Sequence, residues 1–435
     1  MKNLLFRIKS LALVVALLVS GYCFGQKEIS VSTAQRVAET VVSNFSDNKQ
    51  NIVNPEVSLL LTKTKSGIVD DNKSVASLVD NDDCYYYIFS IKQNNGYVIV
   101  SAFDAVEPVL GYSESENWEQ SNLPPSLDSL MAEYESQIKF AIENQLLPDS
   151  IQQYKWNSYL NGNVPKITTG YTQGTFLIET QWGQGRPYNN LTPSINGQHA
   201  VTGCVATAMA QVLYYWAKSA YKNGLQTYEA TVKIPIPNYT GVKMFNWNLM
   251  TTKYPNPNDN YIAELMYAIG VAVKMQYGVK ESGANPTEIS PALNYFGVKS
   301  AYIEINSIRM NRNDWDNMLR EEINKNRPIL YGGRGSGGHR FICDGYKNDG
   351  TFHFNFGWDG WYDTWMVTTA INPADGHNYN FSQSVIYQID PYNTPQNVPR
   401  RPKQELPVPE KVVRETGRII EQIIKLPGKI KIPKF

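Results

Sequence analysis

The sequence predicts an α+β protein in which a small mixed unit precedes a larger one. Helical periodicity fills the middle of the chain, and short aromatic or β-branched runs separated by glycine turns fill residues 328–390. A first, smaller set of helix and strand patterns ends in loosened sequence near residue 150. At 435 residues the chain is long enough for two or three domains with separate cores.

The chain opens on Lys2, Arg7 and Lys9, followed by the apolar run Leu11 to Ser20. That run is too short to span a bilayer comfortably and reads as an export signal. Cys23-Phe24-Gly25 puts small residues at −3 and −1 and sets cleavage before Gln26. A lipid-bearing Cys23 is the alternative, and the bulky Tyr22 before it argues against that. No later stretch reads as a transmembrane helix.

Val31 to Phe45 has helical spacing, with Ser32 or Thr33 as its cap. Tyr85 to Ile91 and Tyr97 to Ser101 alternate as strands around the turn Gln93-Asn94-Asn95-Gly96. Pro124-Pro125 and then Ser126 open a helix running to about Gln145. From residue 150 to 175, Asn157, Asn161-Gly162-Asn163, Pro165 and Thr168-Thr169-Gly170 describe a linker, with Lys166 as a candidate cleavage point.

The larger unit, residues 175–392, begins with helices over Val205 to Lys218, Tyr261 to Met275 and Asp314 to Asn324. Strands follow at Ile329 to Gly332, Arg340 to Tyr346, Thr351 to Phe356, Trp365 to Thr368 and Ser384 to Ile389. A helical half and an antiparallel half then meet at a cleft. After Asp390 a Pro-rich stretch leads to a basic amphipathic segment, either docked on the body or a surface or partner contact.

A formal net charge of zero excludes general attraction to nucleic acid or acidic membrane. The cysteines are Cys23, Cys84, Cys204 and Cys343; without Cys23 three remain, too few and too odd for a disulfide scaffold. His and Cys never cluster at ligand spacing, so no metal or cofactor is expected. Gly332 to Gly338 lacks the Lys-Ser/Thr of a phosphate loop and precedes a strand.

Cys204 follows Gly203 at the start of a run of helix formers, where unpaired N–H groups and the helix dipole favour thiolate. His339 lies 135 positions downstream, after a glycine-rich run and at a strand mouth, a spacing expected between nucleophile and base in papain-like enzymes. Asn355 alternates with the Phe residues of Phe352-His353-Phe354-Asn355-Phe356 and is the candidate orienter of the imidazole. Asp359 is a substitute. Gln184, in a glycine-rich loop, is the candidate side-chain donor to an oxyanion, beside the Cys204 N–H.

Together these stretches resemble the streptopain family of papain-like cysteine peptidases. Gly183-Gln184-Gly185-Arg186-Pro187-Tyr188-Asn189, the run Gly197 to Ala208, Gly337-Gly338-His339 and His353 to Gly360 carry the resemblance in order. It implies a secreted cysteine endopeptidase made as a zymogen, with Cys204 as nucleophile, His339 as base, Asn355 as orienter and Gln184 as oxyanion donor. Trp358, Gly337 and Gly338 line the substrate cleft. Gly96 to Ala102 and Pro108 to Ser113 resemble the family's inhibitory propeptide.

The implied organisation is a signal peptide at 1–25, a propeptide at 26–166, a papain-like peptidase domain at 167–392 and a tail at 393–435. Protein or peptide substrates with an apolar P2 residue are expected, with the propeptide as intramolecular inhibitor. Phe356 and Arg340 depart from the family pattern. A catalytically silent binding protein and an acyl transferase are the alternatives; the first usually shows a lost nucleophile or base, and here both are present.

Overall fold

A computed structural model describes residues 27–45, 55–70, 83–92, 95–166, 175–222, 245–253, 256–257, 260–304, 312–333, 339–370 and 383–391. The chain divides into units 1–394 and 395–435, and all described residues belong to the first. The export signal, the tail, Gly337 and Gly338 lie outside the described residues.

The first helix, α1 (Val31–Ser43), is capped by Ser30, whose hydroxyl accepts the Thr33 N–H at 3.3 Å, and not by Ser32 or Thr33. Strands β1 (Val57–Thr64), β2 (Gly67–Asp70), β3 (Cys84–Ile91), β4 (Tyr97–Ser101) and β5 (Val109–Ser113) follow. In α2 (Pro125–Glu143) proline occupies the first turn, where its missing N–H costs nothing, and Ser126 is buried inside the helix instead of capping it. Residues 150–160, read above as linker, form α3 (Ser150–Leu160). Asp149 caps it, accepting the Ile151 and Gln152 N–H groups at 2.8 Å.

A hairpin of β6 (Ser194–Ile195) and β7 (Gln198–His199) leads into α4 (Cys204–Lys222). Next come α5 (Tyr261–Ala272), α6 (Ile289–Tyr295), β8 (Lys299–Glu304) and α7 (Arg312–Asn324). The late strands are β9 (Ile329–Gly333), β10 (His339–Tyr346), β11 (Phe352–Asn355), β12 (Thr364–Met366) and β13 (Ser384–Asp390). The fold is α+β, as the patterning predicts. Among the described residues no helix is long and apolar enough to cross a membrane.

Eleven strands form one sheet in the order β2-β1-β3-β4-β5-β12-β11-β10-β9-β13-β8. Strand alternation sends Tyr331, Phe341 and Phe354 to a core shared with α2 and α7, whereas Leu330 and Ile342 join the core under α4, α5 and α6. The early and late strands meet where β5 pairs with β12, Tyr112 opposite Trp365 and Gly111 opposite Met366. A Cβ at Gly111 would lie 2.7 Å from Met366 Cγ, so the seam requires glycine there. The Val367 N–H donates to Leu110 O at 3.0 Å and the Glu107 N–H to Ala370 O at 2.8 Å, extending it.

A buried ionic cluster backs this seam. Glu107, 3% exposed, takes Lys155 Nζ of α3 and Arg312 Nη1 of α7, both at 2.6 Å. Arg312 also reaches Asp316 at 3.5 Å. Burial alone would raise the Glu107 pKa; the two cations outweigh it and hold the carboxyl down at about 2. Glu107→Ala would leave Lys155 without its buried partner and Arg312 with Asp316 alone, and should destabilise the full-length chain by about 3–5 kcal/mol. Denaturant unfolding measures this, and a loss below about 1 kcal/mol, the worth of a solvent-exposed pair, would contradict it.

Candidate active site

Gly203 has φ +88°, and a Cβ there would come within 2.8 Å of Ser282 O, so only glycine turns the chain into α4 at this point. Cys204 is therefore the first residue of α4, partly exposed, with the helix N-terminus beneath it. Its Sγ accepts the backbone N–H of Arg340 at 3.4 Å. Burial pushes the thiol pKa up against the Arg340 N–H, the Arg340 charge and the N–H groups of Val205 and Cys204. In this state burial is the larger influence on the thiol, ahead of the neighbouring N–H groups and the Arg340 charge that favour thiolate.

Gln184 is brought to this helix start. The Thr202 N–H donates to Gln184 O at 3.0 Å, and Thr207 Oγ1 reaches Gly183 O at 3.4 Å. Gly183 is pressed against Asp359, whose carboxylate would sit 2.4–2.5 Å from a Cβ at that position. The loop with Trp358 and Asp359 thereby packs on the loop with Gln184, and Trp358 is partly exposed there. Burial raises the Asp359 pKa, and a bond from the Tyr188 hydroxyl opposes the rise.

Asn355 is buried at 2% exposure on the α4 side of the sheet. Its Oδ1 accepts Gln211 Nε2 and the Gly357 N–H, each at 3.0 Å, and its Nδ2 donates to Thr180 O at 2.9 Å. Those bonds occupy the amide, so Asn355 does not orient His339 here; it ties three segments together. Asp359, against Gly183, does not replace it.

His339 stands across the sheet. It begins β10, pairs with Gly333 of β9, and shares a face with Phe341. The two line a small cavity with Ser126, Ser129, Leu130 and Glu133 of α2. Among the described residues the imidazole has no hydrogen-bond partner. Burial lowers its pKa against the carboxylates of Glu281 and Asp128. Cys204 and His339 are thus held on opposite faces of one strand. The His199 Nδ1 lies 2.8 Å from Thr192 O, in the hairpin before α4. Lys166 is exposed just before residues 167–174.

One residue in this neighbourhood, Gln211, has no place in the sequence reading, and another, Arg340, enters it only as a departure from the family pattern. Arg340 is 4% exposed and spends its guanidinium on Leu330 O at 3.3 Å, Ser384 O at 3.2 Å and Ser384 Oγ at 3.2 Å. Gln211 joins Thr180, Trp182 and Asn355. Cys204, Thr207 and Gln211 share a helical face at spacings of three and four, a signal that would have picked out Gln211. Among the described residues no group of His, Cys, Asp and Glu is arranged to hold a metal.

Two family models match the chain: the Peptidase C10 family over residues 182–366 and the Spi protease inhibitor over residues 26–138. Streptopain of Streptococcus pyogenes is 31% identical over 340 residues, 70% of this chain and 80% of that one. The thiol protease/hemagglutinin PrtT of Porphyromonas gingivalis is 29% identical over 336 residues. That match covers 73% of this chain but only 38% of the relative's length. Among solved structures, a prointerpain A fragment of Prevotella intermedia matches with a TM-score of 0.54 at 27% identity, over 72% of this chain and 96% of that one.

Glu133 makes the seating of α2 dependent on pH. Burial raises its pKa from 4.5 to about 7, against the bond from Gln383 Nε2 at 3.3 Å. The seated carboxyl stays neutral in mild acid and must ionise in place as pH rises toward 7, so the fold loses stability across that window. From about pH 5 to about pH 8 the Cys204→Ala chain should lose about 2–3 kcal/mol more than the Cys204→Ala/Glu133→Gln chain. Unfolding curves at the two pH values test it; equal losses would count against it.

Proposed function

The chain belongs to the streptopain family of C10 cysteine peptidases, and on that premise we propose that it is an exported endopeptidase with Cys204 as nucleophile. It is made as a precursor whose residues 26–166 act as an inhibitory propeptide and whose residues 167–392 form the peptidase. The observation that carries this reading is the 3.0 Å bond from the Thr202 N–H to the Gln184 carbonyl. It ties the segment of an oxyanion donor to the turn that presents Cys204.

In the working arrangement the His339 imidazole faces Cys204 and takes the Sγ proton. The thiolate attacks the scissile carbonyl carbon, forming C–S, and the displaced electron pair charges the carbonyl oxygen. The Cys204 N–H and the Gln184 side-chain amide donate to that oxygen. Protonated His339 then gives its proton to the leaving amine as C–N breaks, leaving a thioacyl enzyme. A water deprotonated by His339 attacks the thioester, C–S breaks, and the thiol regains its proton. Trp358 shields the site, and Gly337 and Gly338 let substrate backbone approach.

Latency follows from where α2 sits. Ser126, Ser129, Leu130 and Glu133 face His339 and keep it on the side away from Cys204. A cut near the exposed Lys166 frees α2 and β5 to leave together. The basic start and apolar run of residues 2–20 support export. An apolar P2 preference is carried from the family resemblance. For the basic amphipathic tail the first reading is a segment docked on the body, with a surface or partner contact as the alternative.

Cys204→Ala should abolish casein cleavage and labelling by an epoxysuccinyl inhibitor, and the variant should stay full length while wild-type protein shortens on incubation. Casein cleavage by the purified variant would overturn the assignment. A wild-type chain fully active before any shortening would overturn the inhibitory role of residues 26–166.

A further inference from the structure

The mechanism above leaves a buried acid–imidazole pair unused. Asp344, 0% exposed, accepts from His353 Nδ1 at 2.7 Å, and His353 is itself buried at 4% exposure. The other oxygen of Asp344 accepts two backbone N–H groups, Leu177 at 3.1 Å and Ile178 at 2.7 Å. Phe176 lies flat on the imidazole, ring centroids 4.2 Å apart and planes 14° from parallel, although its side chain is 47% exposed. An apolar ring on the surface is held there by stacking, not by burial.

The backbone is cut to receive this segment. Phe176 bridges Gly345 of β10, and a Cβ at Gly345 would lie 2.8 Å from Thr175 O and 3.0 Å from Phe176 Cβ. Glycine at 345 therefore leaves the gap that the segment fills. Beyond the lock the chain runs straight to the oxyanion loop. Asn355 Nδ2 holds Thr180 O at 2.9 Å, and Thr180 Oγ1 donates to Gln211 Oε1 at 2.7 Å. Gln184 follows Phe176 by eight residues.

We propose that residues 175–178 are a register lock for Gln184, with Asp344, His353 and Phe176 as positioning residues that must persist in the mature enzyme. A slip at the lock shifts the segment leading to the donor, so that Gln184, tied at its carbonyl to Thr202, loses the orientation of its side chain while the thiol, on α4, stays in place. The effect belongs to the transition state, because an oxyanion donor is fully used only when charge develops on the carbonyl oxygen. The lock also limits maturation: the new N-terminus must fall at or before Phe176. This inference rests on the reading of Gln184 as the donor.

The test uses full-length chains allowed to mature, with active sites titrated by an epoxysuccinyl inhibitor and turnover followed on a fluorogenic peptide. Phe176→Ala should lower kcat about tenfold or more with KM within about twofold, since a displaced donor loses transition-state stabilisation. Phe176→Tyr should restore kcat because it restores the stack. In a Gln184→Ala background Phe176→Ala should cost no more than about twofold further, since both act through one group. An unchanged kcat for Phe176→Ala, a loss confined to KM, no rescue by tyrosine, or full additivity with Gln184→Ala would each overturn the lock. So would a mature N-terminus beyond Phe176. If Gln184→Ala keeps wild-type kcat, the donor reading itself fails; if it loses kcat while Phe176→Ala does not, the lock alone fails.

Discussion

The pairing of β5 with β12 is the constraint on which the rest of the molecule depends. Two opposed residue pairs, Tyr112 with Trp365 and Gly111 with Met366, make one sheet out of the early and late strands. Once that seam is made, α2 lies across β9 and β10, and Tyr134 on α2 donates to Val367 O just beyond β12. Residues 126–133 of α2 then stand where His339 points. The seam is short, and a short seam works because the segments are covalently joined. A tether supplies a high effective concentration, so modest contacts suffice to keep the partners together. After a cut the same contacts must hold by their own affinity.

Electrostatics reinforces the separation of Cys204 from His339. Each group has its neutral form favoured by burial, the thiol pKa moving up and the imidazole pKa moving down. A thiolate and an imidazolium stabilise one another only at close range, so the charged pair cannot form across a strand. The charge at the interface is kept where it is paired, in the cluster of Glu107, Lys155 and Arg312. Such a cluster contributes little to net stability against an apolar equivalent, but removing one member strands the others. It therefore fixes how residues 107, 155 and 312 meet more firmly than it strengthens their meeting.

The parts legible in sequence were those decided locally. Gly203 followed by helix formers marked the start of α4, and alternation in residues 352–356 put Asn355 and His353 on one face with the Phe residues on the other. The parts missed depend on distant partners. Residues 150–160 carry Asn157 and little amphipathic spacing, so α3 read as linker; its helix is set by the Asp149 cap and by Trp156, Lys155 and Gln152 packing inward. Asn355 was read as the orienter because its amide alternates with the Phe residues of its strand and because the family resemblance implies that role. Which face His339 takes depends on the pairing of His339 with Gly333 and of Ile342 with Asn355, and no local pattern states that register. The burial that raises the Cys204 thiol pKa is likewise set by distant partners, since it comes from everything that packs around Sγ.

Strand β10 distributes the two states of the molecule between its faces. Phe341 and Cys343 face the core shared with α2, while Ile342 faces α4, and Asp344 anchors Leu177 and Ile178. Turning the strand over would tear out Ile342 and Asp344, so a change of state cannot involve the whole of β10. His339 is different because it is the terminal residue, joined to the ladder by its pairing with Gly333 alone. Any rearrangement at His339 is thereby limited to the end of the strand, while Ile342 and Asp344 hold the rest in place.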